Sequence, residues 1–145
     1  MPYKSLRVEL SCPSDVFLIK KIVDANRDIF GFIPLPAFLE AQKRAWLLVA
    51  KINLEIVGFV RFRHRKDGIT VIYELYCVSN VRGMGVGRAL LEELRKSCLV
   101  NRQSAILAKC PVDLPANGFY AGNGFELIET VSGKKRALNV WRLKL

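Results

Sequence analysis

Apolar and polar positions alternate with a period of two along several short stretches, and helical spacing takes over between them. Leu6 to Leu10 reads apolar and charged in turn and predicts a half-buried strand. Ser11-Cys12-Pro13-Ser14 ends it. Ser14 is the expected N-cap of a helix that carries Asp15 in its first turn. Leu18, Ile22, Ala25 and Ile29 then recur at helical spacing, with Lys20, Lys21, Asp24 and Arg27 outward, as far as Gly31. Phe30–Pro36 is apolar but holds one glycine and two prolines, so it predicts a bent loop. A short helix from about Pro36 to Lys43 follows, with proline in its first turn.

Trp46–Ala50 and Ile56–Arg65 predict a hairpin. In its second strand Phe59 and Val60 face inward. Beyond them Arg61, Arg63 and Arg65 share one face, and Phe62 and His64 share the other. Lys66-Asp67-Gly68 turns the chain into a third strand, Ile69–Val78. From Val86 the period changes again: Val86, Ala89, Leu90, Leu94 and Cys98 fall on one helical face, opposite Arg88, Glu92, Glu93, Arg95 and Lys96. Ser104–Cys110 is nearly continuously apolar, as an interior strand should be. Pro115–Ala121 predicts a short helix, and Phe125–Glu129 and Leu138–Leu143 predict two last strands around a basic loop. The order β-α-α-β-β-β-α-β-α-β-β predicts one mixed-sheet α/β domain over residues 1–145, with helices on its faces.

Composition narrows the picture. The chain has 145 residues, 51% of them hydrophobic, which suits one domain with a sizeable core and excludes a disordered chain. No apolar run is long enough to span a bilayer, and the N-terminus has no signal-peptide pattern. A cytoplasmic location and no membrane partner are therefore expected. Cys12, Cys77, Cys98 and Cys110 are far apart, and His64 is the only histidine. Free thiols are expected, and a metal site is not. The net charge of +10 favours an anionic partner, or simply pulls a phosphorylated cofactor inward. The densest basic patch, Arg61, Arg63, Arg65 and Lys66, reads either as a guide for such a partner or as a strand end charged against edge pairing.

The stretch from Val71 to Cys98 carries the clearest chemistry: a strand, the glycine-rich turn Arg82-Gly83-Met84-Gly85-Val86-Gly87-Arg88, then a helix. The first amides of a helix have no acceptor inside it and carry the positive end of the macrodipole, so a pyrophosphate can bind there. Gly83, Gly85 and Gly87 let an anion approach the backbone, and Arg82 and Arg88 add charge. Gly87 is followed by Arg88-Ala89, not Lys-Ser/Thr, which excludes a standard P-loop. Arg88 stands where a dinucleotide fingerprint needs its third glycine.

What the turn does match is R-x-x-G-x-G, through Arg82, Gly85 and Gly87. It resembles the coenzyme A signature of the GNAT superfamily of N-acetyltransferases. Ala116-Asn117-Gly118-Phe119-Tyr120 followed by Gly124-Phe125 resembles that family's second signature, N-x-F-Y…G-F, and the element order resembles its fold along nearly the whole chain. The resemblance implies a mostly antiparallel mixed sheet, splayed at the cofactor site, with helices on both faces. It also implies acetyl-CoA as co-substrate and an amine acceptor, with no metal. Pantetheine would pair with the backbone of Tyr76, Cys77 and Val78. The pyrophosphate would sit on the amides of Arg82, Gly83, Met84, Gly85, Val86, Gly87 and Arg88. Asn117 would contact the coenzyme arm or cap its helix, and Tyr120 would lie near the thioester sulfur.

Acetyl transfer to an amine needs a neutral nucleophile, yet a lysine-type amine has a pKa of about 10.4. A base is therefore useful, and Glu74, which interrupts an apolar strand near the turn, is the candidate. The alternative is an ion pair with Arg61 or Arg63. The tetrahedral intermediate carries an oxyanion that a strand amide such as that of Val78 could stabilise. Tyr120 is the candidate acid for the leaving thiolate, and the alternative is a core aromatic. Cys77 and Cys110 are expected to be inert packing. The acceptor is expected to be a primary amine of a small molecule or protein. Other readings are a coenzyme A-binding module without turnover, or transfer to nucleic acid or a protein bound to it. The chain is expected to be a monomer or a homodimer, the latter through its last strand with Val140 and Trp141.

Overall fold

The computed structural model describes residues 5–145. The chain opens with β1 (Leu6–Leu10), α1 (Pro13–Asp24), α2 (Arg27–Phe30) and α3 (Leu35–Lys43). Three strands follow: β2 (Leu47–Ile52), β3 (Glu55–His64) and β4 (Ile69–Cys77). A 3-10 turn at Ser79–Val81 leads into α4 (Val86–Val100). The remainder is β5 (Ala105–Pro111), α5 (Ala116–Gly122), β6 (Glu126–Val131) and β7 (Leu138–Lys144). The strands hydrogen-bond in the order β1-β2-β3-β4-β5-β7-β6. This is the expected mostly antiparallel mixed sheet; β4 and β5 are its parallel pair.

Two compact units share these elements. The first holds Met1–Phe62 and Glu74–Leu94, the second Arg63–Tyr73 and Arg95–Leu145.

In the first unit, β1 pairs with β2 from Leu6↔Ile52 to Leu10↔Leu48, and β2 pairs with β3. Val16, Ile19, Val23, Phe38, Leu47, Val49 and Phe59 are fully buried in one cluster that also takes Tyr76. The face of α1 is therefore set one residue away from the expected one. Leu18 is 48% exposed and Ile29 37% exposed, while Val16, Ile19 and Val23 face the sheet. The cap differs too. Cys12, not Ser14, is the N-cap, and its amide donates to Asp15 Oδ2 at 3.0 Å in a reciprocal capping box. Burial alone would raise the Asp15 pKa. The Cys12 amide and Lys51, 3.1 Å away, outweigh it and hold the carboxyl below its usual range. The expected single helix up to Gly31 is two helices. The Asn26 side chain donates to the Ile22 carbonyl at 2.8 Å where α1 ends, and α2 starts one residue later.

In the second unit, β4 runs parallel to β5 from Ile69↔Ala105 to Ile72↔Ala108. β7 pairs antiparallel with β5 on one side and β6 on the other. Trp141 and Val140 are buried, and β7 has strand neighbours on both sides, so it offers no edge for a dimer; the sheet's edge strands are β1 and β6.

Candidate active site

The glycine turn belongs to the first unit, and the strand before it is pinned from behind. The Val78 amide donates to the Val57 carbonyl at 2.9 Å. Gly58 follows directly. A β-carbon there would stand 2.7 Å from the Tyr76 carbonyl oxygen and 3.2 Å from side-chain carbons of Val86 and Leu90. Only glycine allows β3 to approach β4 and the first turns of α4 so closely. Sequence reading passed over Gly58, although an isolated glycine inside a strand is itself a signal of close backbone approach. The Val78 amide, expected as an oxyanion donor, is already committed to Val57.

The turn itself is open. Gly83 and Gly85 have φ of +81° and +87°, a left-handed backbone that glycine takes without a steric penalty. A β-carbon built at either meets no atom within 4 Å, so conformation and not packing demands glycine there. The first helical bond of α4 runs from the Ala89 amide to the Gly85 carbonyl at 3.0 Å. The first amides of a helix have no acceptor within it; just ahead of α4 the Met84 amide donates to the Val81 carbonyl at 3.2 Å. Val86 is buried and anchors the turn, while Arg82, Met84 and Arg88 are exposed and Gly87 is half-buried. Arg82 donates from Nε to the Cys77 carbonyl at 3.1 Å, and its guanidinium lies 5.3 Å from the centre of the Tyr76 ring. That fixes one cation beside the turn.

Tyr76 is buried against Phe30 and Phe59 and donates its hydroxyl to Asn26 Oδ1 at 3.3 Å. Glu74 forms a two-pronged pair with Arg61: Nε to Oε1 at 2.6 Å and Nη2 to Oε2 at 2.9 Å, both side chains mostly buried. Arg61 also lies over the Phe38 ring at 5.4 Å. The ion-pair alternative for Glu74 is thus present. Arg61, for its part, is drawn out of the exposed basic patch.

In the second unit, the β4–β5 ladder ends at Ile72 and Ala108, although β4 continues to Cys77 and β5 to Pro111. Helix α5 carries the other predicted residues. Tyr120 is 6% exposed, its ring edge-on to Phe119 and Phe125. Asn117 is fully engaged. Its Nδ2 donates to the carbonyls of Pro111 and Leu114, both at 2.9 Å. Its Oδ1 accepts from Trp141 Nε1 at 2.9 Å and Asn139 Nδ2 at 3.1 Å. A primary amide has two donor and two acceptor positions, and all four are taken. The expectation that Asn117 reaches the coenzyme arm gives way to a structural role, tying the β5–α5 loop to β7.

A family model described as an acetyltransferase (GNAT) domain matches residues 43–127, more than half of the chain. The chain belongs to the GNAT acetyltransferase family. The match includes both the glycine turn and the Asn117–Tyr120 segment. Solved structures agree on the fold. Ard1 from Thermoplasma volcanium superposes with a TM-score of 0.86 at 16% identity, over 97% of this chain and 98% of its own. The Salmonella typhimurium putative acetyltransferase yncA, solved with its cofactor acetyl-CoA, gives 0.82 at 16% identity, over 98% and 95%. Arabidopsis thaliana Naa50, in complex with the bisubstrate analogue CoA-Ac-MVNAL, gives 0.79 at 19% identity, over 97% and 99%. A search among curated proteins matches nothing.

The remaining candidates in this GNAT chain are quiet. Burial pushes the Cys77 thiol up to about 11, against a smaller opposite pull from Arg82, so it keeps its proton at neutral pH. Burial also raises Cys110. Among the described residues no group of three His, Cys, Asp or Glu side chains could hold a metal ion, and no helix is long and apolar enough to cross a membrane. His64 bonds Thr70 Oγ1 through Nδ1 and Ser97 Oγ through Nε2, each at 2.8 Å. No carboxylate takes part in either bond.

Proposed function

We propose that residues 1–145 act as one acetyl-CoA-dependent N-acetyltransferase domain that acetylates a primary amine of a small molecule or protein. One observation carries the reading: in a GNAT chain, the turn that opens α4 takes the left-handed backbone that glycine favours at Gly83 and Gly85, where a β-carbon would meet no atom within 4 Å. That geometry fits a pyrophosphate. The amides of Gly83, Gly85, Val86, Gly87 and Arg88 would hold it, with Arg82 beside them; the Met84 amide already donates to the Val81 carbonyl at 3.2 Å. The backbone of Tyr76 and Cys77, beyond the end of the β4–β5 ladder, is the proposed partner of pantetheine. Bound acetyl-CoA supplies an activated acetyl thioester to a direct attack by the amine.

Tyr120 is the proposed acid that protonates the departing sulfur. Glu74 is less suited to be the base, because Arg61 donates to both of its carboxylate oxygens. A site without a strong base favours acceptors that are neutral unaided. An α-amino group, with a pKa of about 7.7–8.0, meets that condition far better than a lysine amine at about 10.4. The same ion pair favours the second reading, a coenzyme A-binding module without turnover.

Isotopically labelled acetyl-CoA separates the two. The purified protein is incubated with host lysate divided into protein, nucleic-acid and small-molecule fractions, and with peptides bearing either a free α-amine or only a lysine amine. Label above a Gly85→Glu control, greatest on the α-amine peptide or on one lysate fraction, is the expected outcome. Acetyl-CoA binding by calorimetry with no label anywhere would move the chain to the module reading.

A further inference from the structure

Charge is divided unequally between the two units. The second carries twelve Lys and Arg against four Asp and Glu, the first eleven against nine. Nearly all of the net charge of +10 therefore resides in the smaller unit. Part of it is gathered at one end. The Gly68 carbonyl, in the β3–β4 turn, accepts from the Ser104 amide at 2.7 Å. The Ser104 carbonyl in turn accepts from the Leu145 amide at 2.9 Å. Thr70 Oγ1 donates to Gln103 Oε1 at 3.2 Å. These bonds hold together the β3–β4 turn, the α4–β5 link and the end of β7.

Five exposed cations stand on those segments: Arg63, Arg65, Lys66, Arg102 and Lys144. Asp67 is the one acidic side chain there, and it is already taken by Arg65 and the Ile69 amide. Arg63, Lys66, Arg102 and Lys144 have no ion pair among the described residues. Arg102 has φ of +57°, the left-handed position after a helix that glycine or asparagine ordinarily takes. An arginine is held there against its backbone preference. None of the exposed large apolar side chains lies in residues 65–69, 101–104 or 143–145; Leu99 and Val100, at the end of α4, are exposed next to them in sequence.

We propose that this end of the second unit docks the phosphodiester backbone of nucleic acid, without reading its sequence, a function beyond acetyl transfer. Guanidinium groups match phosphate oxygens in pairs, and cations spread over three segments suit a run of phosphates better than a single one.

The test is fluorescence anisotropy of the whole protein with a labelled single-stranded RNA of about 20 nucleotides, a length that exceeds typical single-strand site sizes. With four phosphate contacts, affinity should fall on the order of 50-fold between about 50 and 200 mM salt. Arg63→Ser, Lys66→Ser and Arg102→Gly together should remove most of the binding, with acetyl-CoA binding and the thermal midpoint kept as checks on folding. Lys134→Ser with Lys135→Ser, on the β6–β7 loop, should remove little. Three results would overturn the proposal: no binding at the lower salt, equal losses in both variants, or displacement of the RNA by polyglutamate as effective as by unlabelled RNA, which would mark an acidic-protein face instead.

Discussion

The glycine turn and the Asn117 segment both match sequence signatures of the same family, and they are built in opposite ways. The turn in the first unit takes a left-handed backbone at Gly83 and Gly85, where a β-carbon would meet nothing within 4 Å. The segment in the second unit spends every hydrogen bond of its asparagine on its own chain. A signature can thus mark a place that meets a ligand or a place that holds such a site in shape. Counting the bonds of each side chain tells the two apart.

The comparison breaks first at Gly85. Gly85→Glu should abolish measurable acetyl-CoA binding in calorimetry, because a carboxylate would meet the phosphates. The φ of +87° adds a strain of only about 1–2 kcal/mol, and there is no clash. Retained affinity would remove the pyrophosphate from the turn. Tyr120→Phe should lower turnover on the order of 100-fold with cofactor affinity little changed; full turnover would leave Tyr120 a core aromatic.

Asn117→Ala should act on stability. Orphaning the Trp141 indole N–H and the Asn139 side-chain amide N–H costs about 1–3 kcal/mol in urea unfolding, while the Pro111 and Leu114 carbonyls keep backbone donors. The folded fraction should bind acetyl-CoA almost as before, and a selective loss of affinity would return Asn117 to the ligand. The smallest expected effect belongs to His64. Burial lowers its pKa in the folded state, so the unfolded chain binds the proton more readily. Stability should be flat above about pH 7 and fall as pH drops through the unfolded pKa of about 6.5. The fall should stop below the folded value. His64→Gln should flatten that slope in the urea midpoint, and an unchanged slope would assign it to other groups.

Much of this was legible in the chain. Period-two alternation located β1 and β3, and helical spacing located α4, because long periodic segments state their buried face repeatedly. The face of α1 was not legible. Leu18, Ile22 and Ala25 fit one stripe and Val16, Ile19 and Val23 another, and only the sheet beneath chooses between them. The break at Asn26 depends on one side-chain bond to Ile22, a local competition that periodicity does not register. The site divided along the same line. Glycines at 83 and 85 report a backbone requirement that composition reveals. The commitments of Asn117 Oδ1, Glu74 and the Val78 amide depend on partners 13 to 24 residues away in sequence.

Gly58 has a consequence for how such a chain can vary. The distance from β3 to the Tyr76 carbonyl is fixed by backbone touching backbone, not by side chains that could be exchanged for others of similar volume. Val86 and Leu90 can drift among apolar residues and repack. Position 58 has no smaller residue to fall back on and no larger one it can accept, so it acts as a fixed gauge from which the start of α4 is measured. Changes that retune what the turn holds are open at the turn itself and closed one layer behind it.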